Sequence, residues 1–121
     1  MTTNTNIAVL LNGAVKLATE AAEKRGKEFL LTHYQGEDKG SCGFAWVKIL
    51  KFNGKSIRAN SAIGKALAEK GITKDYTGGF VMWNPSNLPV QNIDCKEAGA
   101  YAASDVLAQF GFECYASSRL D

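Results

Sequence analysis

The sequence predicts one domain, spanning residues 1–121, of the α/β class with α+β as the alternative: a single mixed sheet of about four strands packed by three helices. Three observations lead to this prediction. The length of 121 residues fits one domain, and 45% hydrophobic residues are enough for a core. Apolar residues recur at helical spacing in three segments and alternate in others. The predicted element order is α-β-β-α-β-α-β, and the strand order within the sheet stays open.

The first helix is predicted over Thr5–Arg25, because its apolar residues follow the 3.6-residue period. Gly26 comes after a basic last turn and is placed to end this helix. The following segment, Glu28–Tyr34, is rich in apolar and β-favouring side chains, so we expect it to form the first strand.

The second strand, Cys42–Phe52, has the clearest alternation in the chain. One face is predicted to carry Ala45, Val47 and Ile49, and the other Phe44, Trp46, Lys48 and Leu50. Asn53-Gly54 marks a tight turn at the end of this strand. The loop before the strand, residues 35–41, is short enough to join two antiparallel strands.

The second helix is predicted over Asn60–Lys70, with Asn60 as its N-cap and Gly71 as its end. A short apolar run, Phe80–Trp83, is expected to form the third strand. This strand enters loop 84–93, which contains both prolines of the chain.

The third helix has the strongest end signals. Asp94 is the predicted N-cap, Glu97 completes a capping box, and Gly111 ends the helix. Its more apolar stripe is expected at Ala98, Ala102 and Val106. The last strand is predicted over Phe112–Ser117. If the third and fourth strands are parallel neighbours, their carboxyl ends emerge together, where α/β sheets commonly bind ligands.

The formal net charge of +2 hides an uneven distribution. Residues 1–43 are neutral overall, residues 44–76 carry +5 and residues 77–121 carry −3. Such asymmetry steers an anion locally even when the total charge is small. A solvated face on one helix and one strand is the alternative explanation of the basic middle segment.

The sequence also indicates the cellular compartment in which the protein is expected. No apolar stretch approaches the roughly 18–20 residues that span a bilayer, and the first residues lack the basic and apolar blocks of a secretory signal. The three cysteines, Cys42, Cys95 and Cys114, form an odd set without repeated spacing. We therefore expect reduced thiols in the cytoplasm and no membrane association.

The first candidate site is a basic and aromatic segment. Trp46 and Lys48 share a strand face, and Lys51, Lys55 and Arg58 follow around the turn. Cations recognise phosphate and a flat ring stacks on a base, so this segment predicts a nucleotide-like anionic ligand. An edge strand protected by lysines is the alternative. Only three arginines in the whole chain argue against a dedicated nucleic-acid binder.

The second candidate site lies at the strand ends. Trp83 enters the longest loop, and Tyr115 and Arg119 lie at and beyond the end of the last strand. These residues are predicted to contribute to ligand binding. Tryptophan is also a common anchor at protein interfaces, so a protein partner is the alternative, and a homo-oligomer is left open.

A cysteine-dependent enzyme is the rival hypothesis. Cys42 lies at a loop-to-strand junction, and His33, the only histidine, would come near it if the two predicted flanking strands paired. A thiolate nucleophile needs such a base or positive charge. No catalytic signature surrounds Cys42, and the cysteines lack the short spacing of a structural zinc site. The sequence thus favours a binding module over an enzyme and implies no metal or cofactor.

Four motifs in one order resemble a family of small, largely uncharacterised accessory proteins of tailed bacteriophages. They are Cys42-Gly43-Phe44-Ala45-Trp46-Val47, Gly78-Gly79 with Trp83-Asn84-Pro85-Ser86, Lys96-Glu97-Ala98-Gly99-Ala100, and Tyr115-Ala116-Ser117-Ser118-Arg119-Leu120-Asp121. The resemblance implies a phage protein that acts in the bacterial cytoplasm. It also implies binding of a host protein or a signalling nucleotide to counteract host defence, and it supplies no activity.

Overall fold

The computed structural model describes residues 4–121, which form three helices and a single five-stranded sheet. The predicted mixture of helices on one sheet is confirmed. The helices are α1 (Asn4–Tyr34), α2 (Ala62–Glu69) and α3 (Ile93–Gln109). The strands are β1 (Gly43–Phe52), β2 (Lys55–Ser56), β3 (Thr73–Lys74), β4 (Phe80–Trp83) and β5 (Phe112–Leu120).

The sheet is built around β1. β5 pairs along the whole of one edge of β1, while β4 and β2 share the other edge and β3 lies outside β4. Every pairing among the described strands is antiparallel, which makes the fold α+β. The conditional prediction that β4 and β5 are parallel neighbours is wrong, because β1 lies between them. Both run antiparallel to β1, however, so their carboxyl ends do lie at the same end of it.

Residues 28–34 are helical, so the predicted first strand is wrong. α1 runs unbroken for 31 residues, about 46 Å at 1.5 Å per residue. Gly26 does not end it, because its missing side chain serves packing: a Cβ there would lie 2.8 Å from Leu88 Cδ1. The aromatic side chains that suggested a strand pack along the helix instead, with the rings of Phe29 and His33 4.1 Å apart.

Both predicted helix caps are displaced by one or two residues. α2 is capped by Ser61, whose hydroxyl accepts a hydrogen bond from the Gly64 amide at 3.1 Å. α3 is capped by Asn92, whose side-chain oxygen accepts from the Cys95 amide at 2.9 Å. Each cap satisfies an amide that the first helical turn leaves without a partner.

The helices cover one face of the sheet only. The side chains of Ala45, Val47 and Ile49, which the alternation of β1 places on one face, are fully buried against them. α1 and α3 approach closely through small residues: a Cβ on Gly99 of α3 would lie 2.9 Å from the Ala22 carbonyl oxygen of α1. Within residues 4–121, no helix lies on the opposite face of the sheet. No helix within residues 4–121 has the length and apolar character to cross a membrane.

The predicted buried side of the third helix is wrong, because the helix is turned slightly about its axis from the predicted orientation. Ala98, Ala102 and Val106 are only partly buried, whereas the deeply buried positions are elsewhere on the helix. The described residues that α3 buries are Ile93, Cys95, Lys96, Gly99, Ala100, Ala103, Ser104 and Leu107. This rotation carries a lysine into the interior.

Candidate ligand-binding face

The sheet face without helices gathers five of the eight residues that the sequence marks as ligand-binding. Pairing places Trp83 opposite Trp46, Tyr115 opposite Lys48 and Arg119 opposite Phe44. Residues directly opposite on neighbouring strands point to the same face. We call this surface the open sheet face and define it by Phe44, Trp46, Lys48, Trp83, Tyr115 and Arg119.

Three aromatic rings form a continuous cluster on the open sheet face. The Trp46 and Trp83 rings are stacked, with centroids 5.6 Å apart and planes 11° apart. The Phe44 ring lies 5.6 Å from that of Trp83, tilted by 34°. Trp83 remains 54% exposed, so much of a large flat ring is available to a ligand. Exposed aromatic surface of this kind is the usual platform for stacking a base.

A cleft of about 450 Å³ lies beside these tryptophans. Trp46, Trp83 and Arg119 form its sheet side, and the segment 73–77 with Val81 forms the rest. Tyr76 lies on this second wall and is 98% exposed. The volume lies within the range of small-molecule sites.

Lys48 is held by its own chain at the border of the open sheet face. Its ammonium donates to the Thr77 hydroxyl at 2.6 Å and lies 3.4 Å from the Asp75 carboxylate. Thr77 also donates to Asp75. The hydrogen bond from Thr77, together with the charge of Lys48, holds the pKa of the Asp75 carboxyl below its ordinary value. Lys48 therefore fixes the loop that forms the cleft wall, and its charge is already neutralised.

Two other cations flank Phe44. The Arg119 guanidinium carbon lies 5.5 Å from the centre of the Phe44 ring, and Lys96 Nζ lies 5.6 Å from it. Within residues 4–121, neither cation makes an ion pair with a carboxylate. Cation–π contact holds a charge in place without neutralising it. Positive charge is thus concentrated at the edge of the aromatic cluster.

Lys96 is a candidate site residue that the sequence pattern did not mark. It is only 8% exposed, and its ammonium donates to the Gly43 carbonyl at 2.9 Å. A second cavity, of about 130 Å³, is lined by Lys96 together with Phe44, Ala45, Trp83 and Asn84. Trp83 lines both cavities, so it separates the cleft from the buried lysine. The i, i+4, i+7 spacing of Lys96, Ala100 and Ala103 is the signal that reveals this burial.

The remaining basic residues of the first candidate site lie elsewhere. A register shift between Ile49 and Lys51 places Lys51 opposite Glu113 of β5. Lys55 is exposed on β2, and Arg58 is exposed in the loop before α2. Neither lines the cleft or the cavity beside Lys96. The basic segment of the sequence therefore divides between two ends of β1.

The predicted pairing of Cys42 with His33 has no counterpart in the described residues. His33 is exposed on α1 and packs against Phe29, while the exposed Cys42 forms an isolated bridge with Asn92. No hydrogen bond or ring contact within residues 4–121 joins the two. Nor does this part of the chain hold three or more His, Cys, Asp or Glu side chains close enough to bind a metal ion.

Comparison of the chain with protein-family models, with curated proteins and with solved structures gave no match.

Proposed function

We propose that this protein is a non-catalytic binding module that holds a nucleotide-like anion on the open sheet face. The proposal is supported by the close approach of aromatic rings and cations. The stacked rings of Trp46 and Trp83 lie next to Arg119 and Lys96, two cations without a carboxylate partner in the described chain. A nucleotide base stacks on aromatic rings, and a phosphate pairs with cations.

The base is expected on the tryptophans. Stacking of one base on an aromatic side chain contributes roughly 1–3 kcal/mol to binding and tolerates any base, since each has a π-face. Trp83 offers the larger exposed ring, and Trp46 supports it from behind at 5.6 Å. The cleft of about 450 Å³ has room for a ligand of mononucleotide or dinucleotide size.

The phosphate is expected between the cleft and the edge of Phe44. Arg119 presents a planar fork of donors that suits bidentate contact with phosphate oxygens. Lys96 adds a charge from a buried position, where screening by water and salt is weak. One further cation, Lys74, lines the cleft, whereas Lys48 is already paired and Lys55 lies off the cleft. A small nucleotide therefore fits better than a long nucleic-acid strand.

Tryptophan fluorescence tests the proposal directly, because both tryptophans of the chain belong to the open sheet face. Titration with linear and cyclic nucleotides is expected to quench the emission, whereas inorganic phosphate and nucleosides should bind at least tenfold more weakly. Arg119→Gln should reduce nucleotide affinity about tenfold or more, the loss of one charge-assisted contact, and Lys96→Met should reduce it less, because Lys96 acts from behind Trp83 through its charge. Lys55→Gln is the matched control and should bind normally. No quenching by any nucleotide would overturn the proposal.

A second measurement separates binding from turnover. Protein purified from a bacterial host is heated to release any bound ligand, and the ligand is identified by mass before and after incubation with fresh protein. Recovery of the unchanged compound supports a binding module. Consumption of the compound would favour the cysteine-dependent alternative, and Cys42→Ser would then have to abolish it.

The phage resemblance extends this proposal to a setting. We propose an accessory protein in the cytoplasm of a bacterial host, where removal of a signalling nucleotide would counteract defence. A host protein is the second candidate ligand, favoured by the near-complete exposure of Tyr76 beside Trp83. Capture of a protein by the wild type but not by Tyr76→Ala, in the absence of nucleotide binding, would support this second candidate.

A further inference from the structure

The longest edge of the sheet is unpaired. β5 pairs with β1 on one side, and within residues 4–121 no strand pairs with its other side. Just beyond its two ends, the Asp121 amide and the Gly111 carbonyl make hydrogen bonds on the side of the strand that faces β1. Because backbone groups alternate along a strand, the amides and carbonyls of the even-numbered residues from 112 to 120 point away from the sheet.

This edge lacks the usual protection against pairing. Natural edge strands are kept short, carry lysine or proline, or are covered. β2 and β3 are short, with two residues each, but β5 has nine and contains neither lysine nor proline. Its only charged residues are Glu113 and Arg119, one near each end. Both lie on the same face of the strand as Tyr115, since their numbers share its parity.

We propose that β5 pairs antiparallel with β5 of a second copy, about a two-fold axis at Ala116. In this register, the outward amide and carbonyl of Ala116 form hydrogen bonds with the same groups of Ala116 in the second copy. Glu113 lies opposite Arg119 of the second copy, and the same pair repeats on the other side of the axis. Each charged side chain of the strand thus lies opposite a charge of the other sign, and both open sheet faces stay on one side of a continuous ten-stranded sheet.

Charge selects this register from its neighbours. Because outward amides and carbonyls occur at every second residue, the register can shift only in steps of two residues. One such shift places Glu113 opposite Asp121 and sets like charges together. The opposite shift leaves Glu113 facing Ser117 and Arg119 facing Gly111, so neither charge has an opposite charge in the second copy. A strand whose charges complement themselves fits a second copy of this chain better than an unrelated peptide.

The mass of the full chain in solution tests the proposal by sedimentation equilibrium. The wild type is expected to dimerise reversibly. Glu113→Arg and Arg119→Glu each place like charges together at two symmetric positions, so each should raise the dimer Kd roughly tenfold or more. The double variant Glu113→Arg/Arg119→Glu restores opposite charges and should recover the dimer. Lys55→Glu, on β2, is the control and should leave the Kd unchanged.

Three outcomes would overturn the proposal. They are a wild type that stays monomeric at about millimolar concentration, single variants that dimerise as the wild type does, and a double variant that does not recover the dimer. Because Arg119 takes part in both proposals, the dimer Kd is measured in the absence of nucleotide. The double variant lacks Arg119 and is expected to dimerise while binding nucleotide weakly, so the two proposals fail separately.

Cross-linking tests the register itself. In a Cys42→Ser background, Tyr115→Cys/Ser117→Cys places two cysteine pairs opposite each other across the proposed axis and should yield a covalent dimer on oxidation. Ser117→Cys alone is the control, because residue 117 meets its own symmetry mate only in the shifted register. A covalent dimer from the single variant would contradict pairing at Ala116.

Discussion

Arg119 lies opposite Phe44 in the ladder between β1 and β5, with its guanidinium carbon 5.5 Å from the centre of the Phe44 ring. Lys96 reaches the same ring from α3, at 5.6 Å. One aromatic side chain therefore holds two cations in place and neutralises neither. Because the ring also contacts Trp83, it connects the charged part of the open sheet face to the stacking part.

Phe44→Leu is expected to lower both stability and nucleotide affinity. The substitution keeps an apolar side chain but removes two cation–π contacts, which at partly exposed sites contribute roughly 0.5–1 kcal/mol each. The free energy of unfolding should fall by about 1–2 kcal/mol, measured by urea denaturation. Phe44→Tyr keeps the ring and is the control. Equal nucleotide affinity in Phe44→Leu and the wild type would show that the ring does not position the cations.

The alternation of β1 was enough to predict which of its residues share a face, because side chains alternate along a strand. The composition of the open sheet face required the register as well. Tyr115 and Arg119 are distant in sequence from Trp46, and only the β1–β5 pairing shows that they share its face. Local patterns predict a strand's faces, but long-range pairing decides which faces combine.

The errors in the helices have two physical causes. Gly26 and the following apolar run looked like a helix end and a strand, yet the glycine is retained for close packing against Leu88 and Ser86. In α3, alanines occur on several sides of the helix, so hydrophobic contrast defines its buried side weakly. Lys96 was missed for this reason, although its spacing to Ala100 and Ala103 is helical.

Two helical glycines should respond oppositely to alanine. A Cβ at Gly99 would lie 2.7 Å from the Ser86 Cβ and 2.9 Å from the Ala22 carbonyl oxygen, so overpacking should lower the free energy of unfolding by about 1–3 kcal/mol. At Gly13 a Cβ meets nothing within 4 Å, so the gain in helix propensity should raise the free energy of unfolding by about 1 kcal/mol. Thermal and urea denaturation of the two variants measure both effects. Equal destabilisation at both sites would contradict the close approach of α1 and α3.

The three thiols should differ in reactivity. Cys42 is exposed, whereas burial raises the pKa of the Cys95 thiol and raises the pKa of Cys114 to about 11. Alkylation requires the thiolate, so at pH 8 about one Cys114 in a thousand is reactive. Iodoacetamide and peptide mass mapping of the native protein should therefore find Cys42 labelled first. All three should react at similar rates after unfolding. Native labelling of Cys95 or Cys114 ahead of Cys42 would contradict the packing of α3 against β5.

The same shift predicts how stability depends on pH. The Cys114 pKa is raised above its ordinary value of 9.0, so the folded state holds this proton more tightly than the unfolded state does. The associated stability is fully present below about pH 9 and is lost as pH rises towards 11. Cys114→Ala should therefore show a shallower fall in the free energy of unfolding between pH 9 and pH 11 than the wild type. Cys42→Ser is the control. An identical slope in Cys114→Ala and the wild type would show that this thiol ionises as freely in the folded chain as in the unfolded one.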